Sequence, residues 1–213
     1  MMTMKLYHRP DCPFCWKVRL FLQEENIKLE EVCVDLGETH PDVVALNPNG
    51  TVPVLVDGDV VLGESAVIIE YLADKFPGSS LMKGSPSQRA QIRQLHYDSD
   101  HKLGKIIFPY IKQIRESEQH KASDDLLKKT SEAWAREQKK LTRTLGEKAF
   151  FNKEFSVAEC ALIPRFALAL AYGLTLNEDD QNLKQWFYRC VKRPSFLDTL
   201  PQALPAIDEM VKF

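Results

Sequence analysis

The feature that most limits what this chain folds into is a change of texture near residue 80. Before it, short valine-rich apolar runs alternate with helical patterns; beyond it, almost every periodic segment repeats at helical spacing. Between the two lies Phe76-Pro77-Gly78-Ser79-Ser80-Leu81-Met82-Lys83-Gly84-Ser85-Pro86, rich in turn formers and without periodicity. A chain of 213 residues, 44% hydrophobic and 27% charged, has room for two modest domains, each with its own core. The expected architecture is therefore an α/β domain over residues 1–80 followed by an all-α domain over 86–213.

Charge divides at the same place. Residues 1–80 carry 6 Lys and Arg against 13 Asp and Glu, a balance of −7, and the remainder carries 22 against 17, a balance of +5. The net charge of −2 leaves no basic excess or basic block of the kind that phosphate contacts require, so nucleic acid is not an expected partner. The longest apolar run, Phe166 to Tyr172, falls far short of a membrane span, and no membrane partner is expected. The opening residues Met1 to Pro10 hold no apolar segment of signal-peptide length. Five cysteines, an odd and sparse set, suit a reducing compartment, and the expected location is the cytoplasm.

Within the first domain, residues 4–7 and 29–34 read as strands joined by a helix, an arrangement that favours a parallel pair with a right-handed crossover. The helix follows Pro10-Asp11-Cys12-Pro13 and takes its apolar face from Phe14, Val18, Leu20, Phe21 and Leu22. Two apolar runs flank Asp57-Gly58 and predict a tight hairpin. Ser65 then opens a helix through Lys75, with Val67, Ile68, Tyr71 and Leu72 on its apolar side. Helices are expected in the second half at about 87–119, 124–145, 157–172 and 182–190, with Pro109 bending or breaking the first. Ser156 and Glu159 form a capping box ahead of the most apolar of these helices.

Chemistry concentrates in Cys12-Pro13-Phe14-Cys15. A thiol is a useful nucleophile as its thiolate, and the first turn of a helix offers free amides and a positive dipole end to that anion. The strand-turn-helix order places Cys12 there, with a lowered pKa expected; Arg9, Lys17 and Arg19 favour the anion and Asp11 opposes it. Cys15 follows one turn later, where it reaches Cys12 and resolves a mixed disulfide. Such a pair is also half of a zinc site, but no second pair follows and His8 alone does not complete one, so no metal is expected. Cys33, Cys160 and Cys190 read as buried small hydrophobes.

Two further segments suit a peptide-like thiol ligand. Pro53 opens a strand where a cis bond is at home, which turns Val52 outward to pair with an extended ligand as an added strand would. Glu64-Ser65 starts a helix, where a hydroxyl and free amides receive a carboxylate and Glu64 receives an ammonium. Residues His96, Tyr97, Asp100, His101, Gly104 and Phe108 are spaced along one helix as candidate lining of a cosubstrate pocket.

Over essentially its whole length the chain resembles the glutathione transferase superfamily. The resemblance rests on Asn47-Pro48-Asn49-Gly50-Thr51-Val52-Pro53-Val54-Leu55-Val56-Asp57-Gly58, on Leu62-Gly63-Glu64-Ser65 with the helix after it, and on the Ser156–Glu159 box. It implies a thioredoxin-like first domain, glutathione as cosubstrate, and a homodimer. By resemblance, Val52 and the cis Pro53 hold the cysteinyl part of glutathione, Glu64 and Ser65 hold its γ-glutamyl end, and Cys12 stands where other classes use tyrosine or serine. Cysteine-type members favour thiol transfer, and Cys15 makes the chain resemble glutaredoxins as well.

The Leu-Asn-Pro-Asn run, the Phe76-Pro77 turn with Leu81-Met82, and Arg193-Pro194-Ser195-Phe196-Leu197 are also similar to the stringent starvation protein A family, which implies binding to RNA polymerase in place of catalysis. Against that likeness, Gly78-Ser79-Ser80 replaces that family's proline- and histidine-rich turn, and the paired cysteines Cys12 and Cys15 are generally absent from it. The expected function is thus a glutathione-dependent thiol transferase or glutathione transferase-like enzyme, acting through a Cys thiolate on a small disulfide or electrophile, with the polymerase-binding regulator as its rival.

Overall fold

The computed structural model describes residues 4–34, 40–202 and 204. They divide into two compact units, one built from the chain up to Lys83 together with Pro194–Leu204, the other from Gly84–Arg193.

The first unit runs β1 (Lys5–His8), α1 (Pro13–Glu24), β2 (Glu30–Cys33), α2 (Pro41–Leu46), β3 (Val54–Asp57), β4 (Val60–Leu62) and α3 (Ser65–Lys75). The sheet has the order β2-β1-β3-β4, with β1 and β2 parallel and the remaining pairs antiparallel. This is the mixed sheet that the strand-helix-strand unit and the hairpin predict. Gly58 turns the hairpin at φ 61°, a conformation with no penalty for a residue lacking Cβ. Leu6 and Leu55 face each other across β1 and β3 and are both fully buried. From one side α1 adds Trp16, Val18, Phe21 and Leu22 to this core, and α3 adds Ile68, Ile69 and Leu72.

Three expectations need correction in this unit. Val67 is 49% exposed, because the buried stripe of α3 runs through Ser65, Ile68 and Leu72 and Val67 lies roughly 100° off it. Cys33 is exposed, because β2 is an edge strand and Cys33 is its last residue. The segment Pro194–Leu204, read from sequence as part of the helical domain, belongs to the first unit, where α9 (Pro194–Thr199) packs on α1.

The second unit holds α4 (Pro86–Asp98), α5 (Gly104–Glu116), α6 (Asp124–Leu145), α7 (Val157–Ala171) and α8 (Gln181–Val191). Buried almost throughout, α7 is ringed by Trp134, Trp186 and Phe187 around Phe166. The expected break at Pro109 is not observed: α5 continues through it, and the helical register changes upstream in a π-helical turn at Ser99–Leu103. There the Gly104 N–H reaches back to the Ser99 carbonyl, and the Ser99 hydroxyl donates to the Ala161 carbonyl at 2.7 Å.

Candidate active site

Cys12 sits at the N-cap of α1 with an extended backbone, φ −84° and ψ 117°. Its carbonyl accepts the Trp16 N–H at 2.8 Å and so closes the first turn. Pro13 occupies the first helical position, where a missing N–H costs nothing. Cys12 makes no side-chain cap hydrogen bond and no acidic residue lies in the first turn, so the positive dipole end of α1 stands at the Cys12 position. The Cys12 side chain is half-buried, and its Sγ donates to the Val52 carbonyl across a long 3.9 Å.

Cys15 lies behind it, fully buried. Burial pushes the Cys15 thiol well above the ordinary thiol range, and its hydrogen bond to Cys12 and the proximity of that sulfur push it further. The Arg9 backbone N–H and guanidinium pull in the opposite direction but do not win. Of the cations expected to favour a thiolate, Arg9 therefore bears on the pair, and it is itself paired with Asp11 at 3.5 Å. Arg19 is directed elsewhere, to Glu31 at 2.8 Å and to the Thr199 carbonyl at 3.0 Å. Lys17 is fully buried, with its ammonium 5.5 Å from the centre of the Phe14 ring.

The Val52–Pro53 bond is cis, as the opening of β3 suggested. The loop before it is organised by Asn47, the C-cap of α2, whose Nδ2 donates to the Thr51 carbonyl at 3.0 Å and to the Thr51 hydroxyl at 2.9 Å. The same amide lies near Gly63, where an added Cβ would stand 3.1 Å from Asn47 Nδ2, so the absence of a side chain at 63 leaves Asn47 its place beside the residue that precedes Glu64. At the start of α3, Glu64 is the exposed N-cap and Ser65 the first helical residue, its side chain buried. The structure brings Cys12, Cys15 and Val52 into direct contact, and Glu64 and Ser65 stand beside the Asn47 loop.

The chain's likeness to known proteins fits this arrangement. Residues 6–80 match the family described as the glutathione S-transferase N-terminal domain. The stringent starvation protein A homolog of Haemophilus influenzae is 30% identical over 205 residues, covering 95% of this chain and 92% of that one. The chain belongs to the glutathione transferase superfamily. Glutathione S-transferase A of Pleuronectes platessa is 28% identical over 202 residues, covering 89% of this chain and 87% of its own. The crystal structure of a glutathione S-transferase from the Antarctic clam Laternula elliptica is 26% identical, with a TM-score of 0.83, and covers 95% of this chain and 94% of that one.

The six second-unit candidates separate onto two sides of the α4–α5 stretch. Asp100 pairs with Arg165 at 2.9 Å, the Arg165 guanidinium lies over the Phe108 ring at 4.6 Å, and His96 Nε2 stands 4.0 Å from Asp100. Gly104 completes that side, since a Cβ there would stand 3.3 Å from the Phe108 ring. Tyr97 and His101 instead stack on each other with centroids 3.9 Å apart, at the surface. A spacing of four puts 96, 100, 104 and 108 in one row, and the one-residue offset carries 97 and 101 off it. Asn47 is the residue whose role sequence reading missed; a lone asparagine at a helix end signals a turn, not the set of bonds to Thr51 and Asn49 that organises the loop before Val52. Among the described residues no group of three or more His, Cys, Asp or Glu is placed to hold a metal ion. No described helix is long and apolar enough to cross a membrane.

Proposed function

We propose that this protein is a glutathione-dependent thiol transferase acting through Cys12, in the cytoplasm and as a homodimer. The observation that carries the reading is the half-buried Cys12 sulfur at an uncapped helix start, beside the Val52 carbonyl and in front of a buried second thiol. In this reading Val52 pairs with the cysteinyl part of glutathione through its N–H and C=O once the Cys12 thiol releases that carbonyl, and Pro53 keeps Val52 turned outward. Ser65 and the amides at the start of α3 receive the γ-glutamyl carboxylate, and Glu64 receives its ammonium.

The reaction starts from a glutathione mixed disulfide. Cys12 thiolate attacks the glutathione sulfur; the disulfide bond breaks, the substrate leaves as a thiolate and takes a proton from solvent, and a Cys12–glutathione disulfide remains. The thiolate of a second glutathione then attacks the glutathione sulfur of that bond, glutathione disulfide leaves, and Cys12 thiolate returns. Release by Cys15 requires that buried thiol to lose its proton, which its raised value opposes at neutral pH. Glutathione is therefore the releasing thiol, and Cys15 supports Cys12 by hydrogen bonding.

The test is reduction of a glutathione mixed disulfide by two variants. Cys12→Ser abolishes turnover, and Cys15→Ser keeps it within about threefold of the parent. Full activity in Cys12→Ser overturns the assignment. A second reading, a regulator that binds RNA polymerase, is favoured by the 30% identity to a stringent starvation protein A homolog over 95% of the chain. Capture of RNA polymerase by a protein without transfer activity would select it.

A further inference from the structure

We infer that α9 is a strap that positions the Cys12 thiol, with Thr199 as the positioning residue that fastens it to α1. The inference rests on the Cys12 reading above, and the geometry behind it is independent of glutathione.

Three residues on one side of α1 are fastened to α9. The Trp16 indole Nε1 donates to the Thr199 hydroxyl at 2.9 Å, with both groups buried. Arg19 Nη1 donates to the Thr199 carbonyl at 3.0 Å, and Ser195 donates to Glu24. The Thr199 hydroxyl in turn donates to the Ser195 carbonyl at 2.7 Å, so its one proton is committed while a lone pair receives the indole. The Trp16 ring packs against Phe196, with centroids 5.5 Å apart.

Trp16 is also the residue whose backbone N–H closes the first turn on Cys12, at 2.8 Å. Holding the indole holds that turn. The turn sets how the amides of α1 face the Cys12 sulfur and how far that sulfur stands from the Val52 carbonyl. A nucleophile is sensitive to such placement, because displacements of about 1 Å at a reacting atom cost up to about 100-fold in rate. The buried indole N–H needs an acceptor, which Thr199 supplies, and the further bonds at Arg19 and Glu24 make the contact a directed clasp of three points.

The test uses the full-length chain carrying Cys33→Ser, which removes the exposed competing thiol. Alkylation of Cys12 by iodoacetamide is followed against pH and assigned by peptide mass, for Thr199→Val and Thr199→Ser side by side. Thr199→Val preserves side-chain shape and loses the hydroxyl; it slows Cys12 alkylation at neutral pH by about threefold or more and moves the midpoint of its pH profile. Thr199→Ser restores the acceptor and alkylates like the parent. Trp16→Phe removes the other partner of the bond and reproduces the valine effect, should Thr199→Val fold poorly. A valine variant that folds and alkylates with the parent's rate and midpoint overturns the strap. Strap-dependent alkylation in a protein that does not reduce mixed disulfides upholds the strap and overturns the transferase reading. Reduction that proceeds with strap-independent alkylation does the reverse.

Discussion

Two helices in this molecule begin in opposite ways, and the contrast separates what the chain uses for folding from what it holds in reserve. At the start of α7, the capping groups are engaged on both sides. The Glu159 carboxylate takes the Ser156 N–H at 2.9 Å, the Ser156 hydroxyl at 2.7 Å and the Phe151 N–H at 2.8 Å, and the Ser156 oxygen accepts from Ala158 at 3.2 Å. Glu159 is fully buried, and burial pushes its carboxyl above the usual range despite those donors. At the start of α1, by contrast, a thiol stands where a serine or aspartate would cap, and it makes no side-chain cap hydrogen bond. The first arrangement commits its cap to stability, and the second forgoes that cap.

Three experiments break or sharpen this contrast, and the largest effect is expected at α7. Glu159→Ala strands the Phe151 and Ser156 amides in a dry site and lowers stability by about 2–4 kcal/mol, read as a shifted urea midpoint at constant slope. A loss no larger than that of an exposed substitution would mean that water replaces the carboxylate, and the contrast with α1 would vanish. Cys12→Asp gives α1 the cap it lacks. It raises stability by about 1 kcal/mol while abolishing thiol transfer, measured on one preparation by urea unfolding and mixed-disulfide reduction. No gain in stability would show that the α1 amides are already satisfied.

The smallest effect lies behind α1, at Glu31. His8 Nε2 at 3.0 Å and Arg19 at 2.8 Å bring the Glu31 carboxyl down to about 2, with the His8 hydrogen bond as the largest cause. Because the folded value lies below the unfolded one, the contribution is present above the ordinary carboxylate range and is lost as pH falls toward 2. Glu31 is partly open to solvent, so screening holds the effect to under about 1 kcal/mol. Urea midpoints at pH 6 and pH 3 for the parent and Glu31→Gln should converge toward the lower pH. Parallel curves would remove the network from the account of how α1 is held.

The features legible in the sequence are those whose cause is local. The Gly58 turn needs a positive φ that glycine supplies, and the α7 box needs two residues three apart. Pro13 after Cys12 marks a helix start, which located the thiol before any tertiary contact was known. Hidden features are those set by strand order or by distant partners. Cys33 is apolar enough for a core, and its exposure depends on β2 being at the edge of the sheet. Trp16 meets Thr199 across 183 positions of sequence, a pairing no local pattern announces. Asn47 sits close to Gly63, where a side chain would crowd it, and that closeness exists only in the folded unit.

The return of Pro194–Leu204 to the first unit has a consequence for biosynthesis. A nascent chain that has just extruded the whole β-sheet has not yet made the residues that Trp16 and Arg19 bond to. The sheet-bearing unit therefore waits for translation to pass through the entire helical unit before its last piece arrives, and a ribosome that stops early leaves an open seam along α1 where tryptophan meets water.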